Sequence, residues 1–191
     1  MKKKAEPMHQ QVRAAAALLT AATSLALTGC GQQTQAAPPP AHPPAVTEFN
    51  ENGVTVRLSV SDWDSSRGTL VATFTPDEAG FHLYSTALPA AGVEGVGRPT
   101  RVAATGALAG AGAITADAAV KEIHVEGVRA AVPVYPDGPV TTRLPIRAAA
   151  PGGATLLVSY ASCSTTQGCT IPVADRPVRL RATADHLSFT G

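Results

Sequence analysis

The sequence predicts an all-β domain, an antiparallel sandwich, from three observations. Apolar and polar residues alternate with period two, as in Val54, Val56, Leu58 and Val60 against Thr55, Arg57 and Ser59. Such stretches recur at roughly ten-residue spacing, separated by turn chemistry. Of the 191 residues, 17 are Gly and 16 are Pro, and no stretch keeps a helical period. Only 15% of residues are charged and the net charge is +1. A polybasic face of the kind nucleic acid requires is therefore absent, and nucleic acid is not an expected partner.

The chain opens on an export address. Lys2, Lys3, Lys4 and Arg13 precede an uncharged apolar run over residues 14–27. That run is short for a membrane span and suits a signal peptide. It ends Leu27-Thr28-Gly29-Cys30, which resembles the lipobox of bacterial lipoproteins. The resemblance implies that residues 1–29 are removed and that Cys30 is lipidated. Several acyl chains on one residue exceed the two signals that stable anchoring needs. The expected location is the cell envelope, on the extracytoplasmic face of a bacterial membrane, where disulfides persist. Residues 30–46 are expected to be the lipidated Cys and a tether. Within them, GQQTQAAPPPAHPP cannot bury a core and suits an extended spacer.

The domain is expected over residues 47–185. Residues 54–60 form the first strand, 62–68 (DWDSSRG) a turn, and 69–75 a second strand. After the turn at 76–80, residues 81–84 (FHLY) begin a third extended stretch. Residues 87–112, rich in Ala and Gly, read as loops with one short strand near 101–104. Ala favours a helix over parts of 103–119, but the glycines there oppose it. Strands follow at 121–125, 128–135 and 140–146, with Pro145 expected near a sheet edge or bulge. Residues 154–161 (ATLLVSYA) are the clearest strand and 177–183 the last, leaving 186–191 as a tail.

Chemistry concentrates in Cys163 and Cys169, which flank the polar segment STTQG. A hairpin-like loop brings two such residues within disulfide reach. Small polar neighbours favour the access that thiolate chemistry requires. The residues alone leave three readings open: a structural staple, a redox pair and, with His82 and His124, a metal site. A metal would be short of ligands at two cysteines, so none is expected. Other constellations are weak. Asp62, Asp64, Asp77 and Glu78 sit in turns, residues 106–112 lack the Lys of a phosphate loop, and Trp63 suits a core anchor.

The segment Tyr160-x-x-Cys163, five residues, Cys169 and then Pro172 resembles the end of the N-terminal domain of the thiol:disulfide interchange protein DsbD family. Gly80-Phe81-His82-Leu83-Tyr84 is similar to that family's glycine–aromatic–x–Leu–Tyr strand. Tyr135 and residues 142–146 (TRLPI) resemble its next strand pair. The resemblance implies an immunoglobulin-like sandwich carrying one redox-active Cys pair, with no cofactor. It implies that Cys169 attacks a target disulfide and Cys163 resolves the mixed disulfide, with His82 and Tyr84 lining the pair. If close to the pair, an imidazolium at His82 would favour a thiolate; the residue by itself reads as a surface or hydrogen-bonding His. Implied partners are a membrane electron donor of the DsbD/CcdA type and thioredoxin-like exported proteins.

The chain departs from the family where an acidic pair and Phe form a protective lid. The corresponding residues are Glu126-Gly127-Val128, so an aromatic lid is not expected. The alternative function is a non-catalytic envelope lipoprotein with a structural disulfide.

Overall fold

The computed structural model describes residues 45–191. The signal segment, the lipidation candidate Cys30 and almost all of the expected tether lie outside the described residues.

Among the described residues there is no helix, and fifteen strands run in chain order. The first group is β1 (Val46–Glu51), β2 (Val54–Ser61), β3 (Arg67–Pro76) and β4 (His82–Leu83). Next come β5 (Arg101–Gly106), β6 (Leu108–Gly110), β7 (Thr115–Ala116), β8 (Lys121–Ile123) and β9 (Val132–Val134). The last group is β10 (Val140–Ala148), β11 (Gly152–Tyr160), β12 (Ser162–Ser164), β13 (Gly168–Cys169), β14 (Val173–Ala182) and β15 (Leu187–Thr190).

Two sheets share one core. The larger has the order β1-β2-β3-β10-β6, with β7 also on β10, and the smaller has the order β15-β14-β11-β5. Period-two alternation determines which side chains meet between them. Val54, Val56, Leu58, Leu70, Phe74, Val140 and Ile146 come from one sheet, and Ala154, Leu156, Val158, Leu180 and Ala182 from the other. Each fully buried aliphatic side chain contributes roughly 1.5–3 kcal/mol relative to exposure. The ring of Phe74 meets Tyr160 edge-on at 5.6 Å, and the Tyr160 hydroxyl donates to the Glu51 carbonyl at 2.9 Å.

The expected strands at 54–60, 69–75, 140–146, 154–161 and 177–183 all fall within β2, β3, β10, β11 and β14, apart from a residue at a boundary. Four differences have physical causes. β1 pairs with β2 through the Asn52–Gly53 turn, but its outward residues are exposed, so it shows little apolar alternation. β15 pairs with β14, so the sheet runs past the expected boundary at 185 into the presumed tail. The stretch 128–135 yields only the three residues of β9, the rest being bend or irregular chain.

Pro145 is the fourth. It lies in β10, which is paired on both sides and carries no bulge at that point, so it is not at an edge. On the side away from β3, β7 pairs with residues 142–143 and β6 with 146–148. Pro145 falls in the gap between them, where its carbonyl accepts from the Ala111 N–H at 2.8 Å and no ladder donor is required.

The site grows out of β11. The ladder to β14 shifts register between Val158 and Tyr160, and past Tyr160 the chain leaves the sandwich sheet. It enters a separate three-stranded sheet of order β13-β12-β4, with a two-stranded sheet β8-β9 linked through the Tyr84–Val134 bridge.

Candidate functional site: a disulfide with one buried and one exposed cysteine

Cys163 and Cys169 are bonded, with S–S 2.02 Å and Cα–Cα 4.0 Å. They stand opposite each other in the β12–β13 register. The short loop is held by the Thr170 N–H donating to the Ser162 carbonyl at 2.9 Å. On the other side of β12, Cys163 faces His82 and Ser162 faces Leu83. The Ser162 hydroxyl also donates to the His82 carbonyl at 3.3 Å.

The two cysteines differ in environment. Cys163 is 4% exposed, whereas Cys169 is exposed on the outer strand of its sheet. β12 lies between two partners and β13 has one, which is the cause of the asymmetry.

Tyr84 is buried and points its hydroxyl at the sulfurs, 3.1 Å from Cys163 Sγ and 3.9 Å from Cys169 Sγ. Disulfide sulfur carries no proton, so the Tyr84 O–H is the donor. Burial raises the Tyr84 pKa, which keeps that proton in place. The ring is held from behind. Thr100 donates to the Tyr84 carbonyl at 2.7 Å through its hydroxyl, and Gly97 lies against the ring face. A Cβ at Gly97 would fall 2.5 Å from Tyr84 Cε1, so only glycine fits there.

His82 is 2% exposed, with its ring edge-on to Tyr84 at 6.1 Å between centroids. Its Nδ1 lies 3.6 Å from an Asp137 carboxylate oxygen that is also 3.6 Å from Lys121 Nζ. Its buried Nε2 has no hydrogen-bond partner. Burial lowers its pKa, the Asp137 carboxylate opposes that shift, and Lys121 adds to it. The net effect favours neutral imidazole over imidazolium.

A small apolar cluster encloses the buried half of the site: Tyr84, Leu88, Val132, Val134, Ala161 and Cys163. Val93, Val96, Ile123, Val125 and Val128 pack on it. Four of these side chains come from two loop tips, Val93 and Val96 from one and Val125 and Val128 from the other. One tip is a tight hairpin in which Val93 and Val96 exchange backbone hydrogen bonds at 2.9 Å, with Glu94 and Gly95 both at positive φ. The other is the turn closed by the Val128 N–H donating to the Val125 carbonyl at 3.0 Å. Glu94 joins them. Its Oε1 accepts from the backbone N–H groups of Arg129 at 3.1 Å and Ala130 at 3.3 Å, and its Oε2 lies 3.5 Å from Arg129 Nε.

The structure therefore brings Cys163, Cys169, Tyr84 and His82 together. His124 is exposed, and among the described residues no three His, Cys, Asp or Glu side chains gather as a metal site. Sequence reasoning did not find Glu94, Asp137 or Lys121 as neighbours of the site. The signal for Glu94 is the string Val93-Glu94-Gly95-Val96, a tight-turn pattern within the Ala- and Gly-rich stretch 87–112.

Against known structures, the chain is similar to the crystal structure of the N-terminal periplasmic domain of ScsB from Proteus mirabilis. The TM-score is 0.53 at 12% identity, over 76% of this chain and 54% of that one. The sandwich shares its fold with the matched part of the ScsB N-terminal periplasmic domain. A further similar structure is the Neisseria meningitidis DsbD N-terminal domain in its reduced form, at 13% identity, TM-score 0.43, over 70% of this chain and 89% of that one. No family model and no curated protein matches the chain. The chain spans about half the length of the ScsB structure it matches. The resemblance read from the cysteine segment is met at the level of fold, and the ScsB-like sandwich carries its Cys pair on strands that extend beyond the sandwich sheets.

Proposed function

We propose that this chain is an extracytoplasmic thiol–disulfide exchange domain, held to a membrane by lipid on Cys30. It passes electrons between a membrane donor of the DsbD/CcdA type and thioredoxin-like exported proteins. One observation carries the reading: an exposed Cys169 bonded to a buried Cys163 whose sulfur lies 3.1 Å from the Tyr84 hydroxyl. A purely structural bond has no need of a reachable sulfur or of a buried proton donor beside its partner.

In this reading, a donor thiolate attacks Cys169 Sγ. The Cys163–Cys169 bond breaks and its electron pair leaves on Cys163 Sγ, where the Tyr84 O–H stabilises the thiolate. Attack of a second donor thiolate on the mixed disulfide releases the oxidised donor and frees Cys169. In the forward step, Cys169 thiolate attacks a target disulfide and expels one target sulfur. Cys163 then attacks Cys169 Sγ, re-forms the internal bond and releases the reduced target. The aliphatic cover over Cys163 steers incoming sulfurs to Cys169.

The test is the reduction potential of the pair, measured by equilibration with thioredoxin and with glutathione buffers. An exchange domain equilibrates in the range of those couples. A potential below about −300 mV with no thioredoxin exchange would instead mark a structural bond in a non-catalytic lipoprotein. Lipidation is tested separately by mass spectrometry of the mature N-terminus, with Cys30→Ala expected to release the protein from membranes.

A further inference from the structure

Two residues along the chain from the exposed Cys169 stands a large, exposed apolar side chain. Ile171 is 73% exposed, the most exposed large apolar side chain among the described residues; Val46 and Val120 follow at 39% and 49%. Single exposed apolar residues are common and need no explanation by themselves. Three features set Ile171 apart. It lies two residues from Cys169, on the same strand-end segment. Its backbone is held by its neighbours: the Thr170 N–H is bonded to Ser162, Pro172 restricts the next φ, and Val173 is buried at 3% exposure. Finally, residues 148–174, the segment bearing both cysteines, carry no charged side chain.

We propose that Ile171 is the recognition contact for the protein redox partner, a thiol protein whose reactive cysteine is set in an uncharged, apolar surface. This rests on the exchange reading above and extends it to partner choice. As the partner's thiolate bonds to Cys169 Sγ and the electron pair of the broken disulfide leaves on Cys163 Sγ, Ile171 is buried against the surface around the attacking sulfur. The free outer side of β13 leaves room for the partner, since β12 occupies only the inner side. A small-molecule thiol has no such surface and reaches Cys169 without Ile171.

The experiment compares reduction of the oxidised full-length chain by reduced thioredoxin, as the protein probe, and by dithiothreitol. Ile171→Asp should slow reduction by thioredoxin about tenfold, the scale of losing one buried anchor at an interface, and leave the dithiothreitol rate unchanged. Ile171→Leu should retain the thioredoxin rate, because an apolar side chain of equal volume fills the same space. Ile171 is exposed, so neither change should alter folding. Equal thioredoxin rates for wild type and Ile171→Asp would overturn the proposal. So would a parallel fall in both rates, which would place the effect on the disulfide itself. A wild-type chain that yields to dithiothreitol but is inert to thioredoxin would sink the exchange reading, and partner recognition with it. That outcome is seen before any variant is made.

Discussion

The hydroxyl of Tyr84 sits closer to the buried sulfur of Cys163, at 3.1 Å, than to the exposed sulfur of Cys169, at 3.9 Å. The donor is thus aimed at the sulfur that would become the leaving thiolate when a nucleophile arrives from solvent. A hydrogen bond to a charged acceptor is worth about 1.5–3 kcal/mol, and one pKa unit corresponds to about 1.4 kcal/mol. Tyr84→Phe should therefore raise the Cys163 thiol pKa by about one unit or more. The pH dependence of Cys163 alkylation in a Cys169→Ser background reads this directly, and an unchanged profile would remove Tyr84 from the chemistry.

The unequal exposure of the two cysteines predicts which one joins a partner. Cys163→Ala should accumulate a mixed disulfide through Cys169, while Cys169→Ala should accumulate little. Non-reducing electrophoresis with mass spectrometry identifies the joined sulfur, and trapping through Cys163 would reverse the assigned roles. Removing both cysteines should cost only about 2 kcal/mol of stability, because the closed loop is short.

Glu94 couples the two tips of the aliphatic cover, yet Arg129 is almost fully exposed, so their ion pair adds little stability. Glu94→Ala should leave Tm within about 2 °C of wild type. In the Cys169→Ser background it should speed alkylation of Cys163 several-fold, since the tips can part. Cys169 alkylation in Cys163→Ser serves as the control and should not change.

Gly97 has φ +87° and lies against the Tyr84 ring. Gly97→Ala combines backbone strain with overpacking, and a loss of about 1–3 kcal/mol is expected in urea unfolding. Because the displaced ring carries the hydroxyl away from Cys163, this variant should also show part of the Tyr84→Phe shift in thiol pKa.

His82 introduces a dependence on pH. Its pKa is lowered below 6.5 in the folded state, mainly by burial, so the unfolded chain binds the proton more tightly. The contribution is fully present above about pH 6.5 and is lost as pH falls through the lower, folded-state value. Stability should accordingly decline on acidification, and His82→Gln should show a shallower decline. Chemical unfolding between about pH 7 and 5 measures the difference, and identical slopes would contradict the assigned burial effect.

Much of this molecule could be read locally. Alternation in 54–60 and 154–161 marks half-buried strands because side chains on a pleat point to opposite faces. Cys163 and Cys169 stand out by their spacing around a polar loop, whereas Tyr84 and His82 are picked out only by the resemblance of residues 80–84 to the DsbD family. β1 and β15 escaped notice because edge strands bury little and need no apolar alternation. Pro145 was misplaced because a gap between two partner strands leaves no trace in sequence.

The main core strands and a closely spaced cysteine pair were determined by the sequence itself, through periodicity and spacing, and the company of Tyr84 and His82 was implied by the resemblance of residues 80–84 to the DsbD family. Only the tertiary structure decided that Cys163 is buried and Cys169 exposed, that Glu94 ties two distant loop tips, and that Asp137 and Lys121 meet His82. Burial and through-space charge depend on which strand lies between two others and which lies outside. That is a property of chain segments far apart in sequence, and no local pattern encodes it.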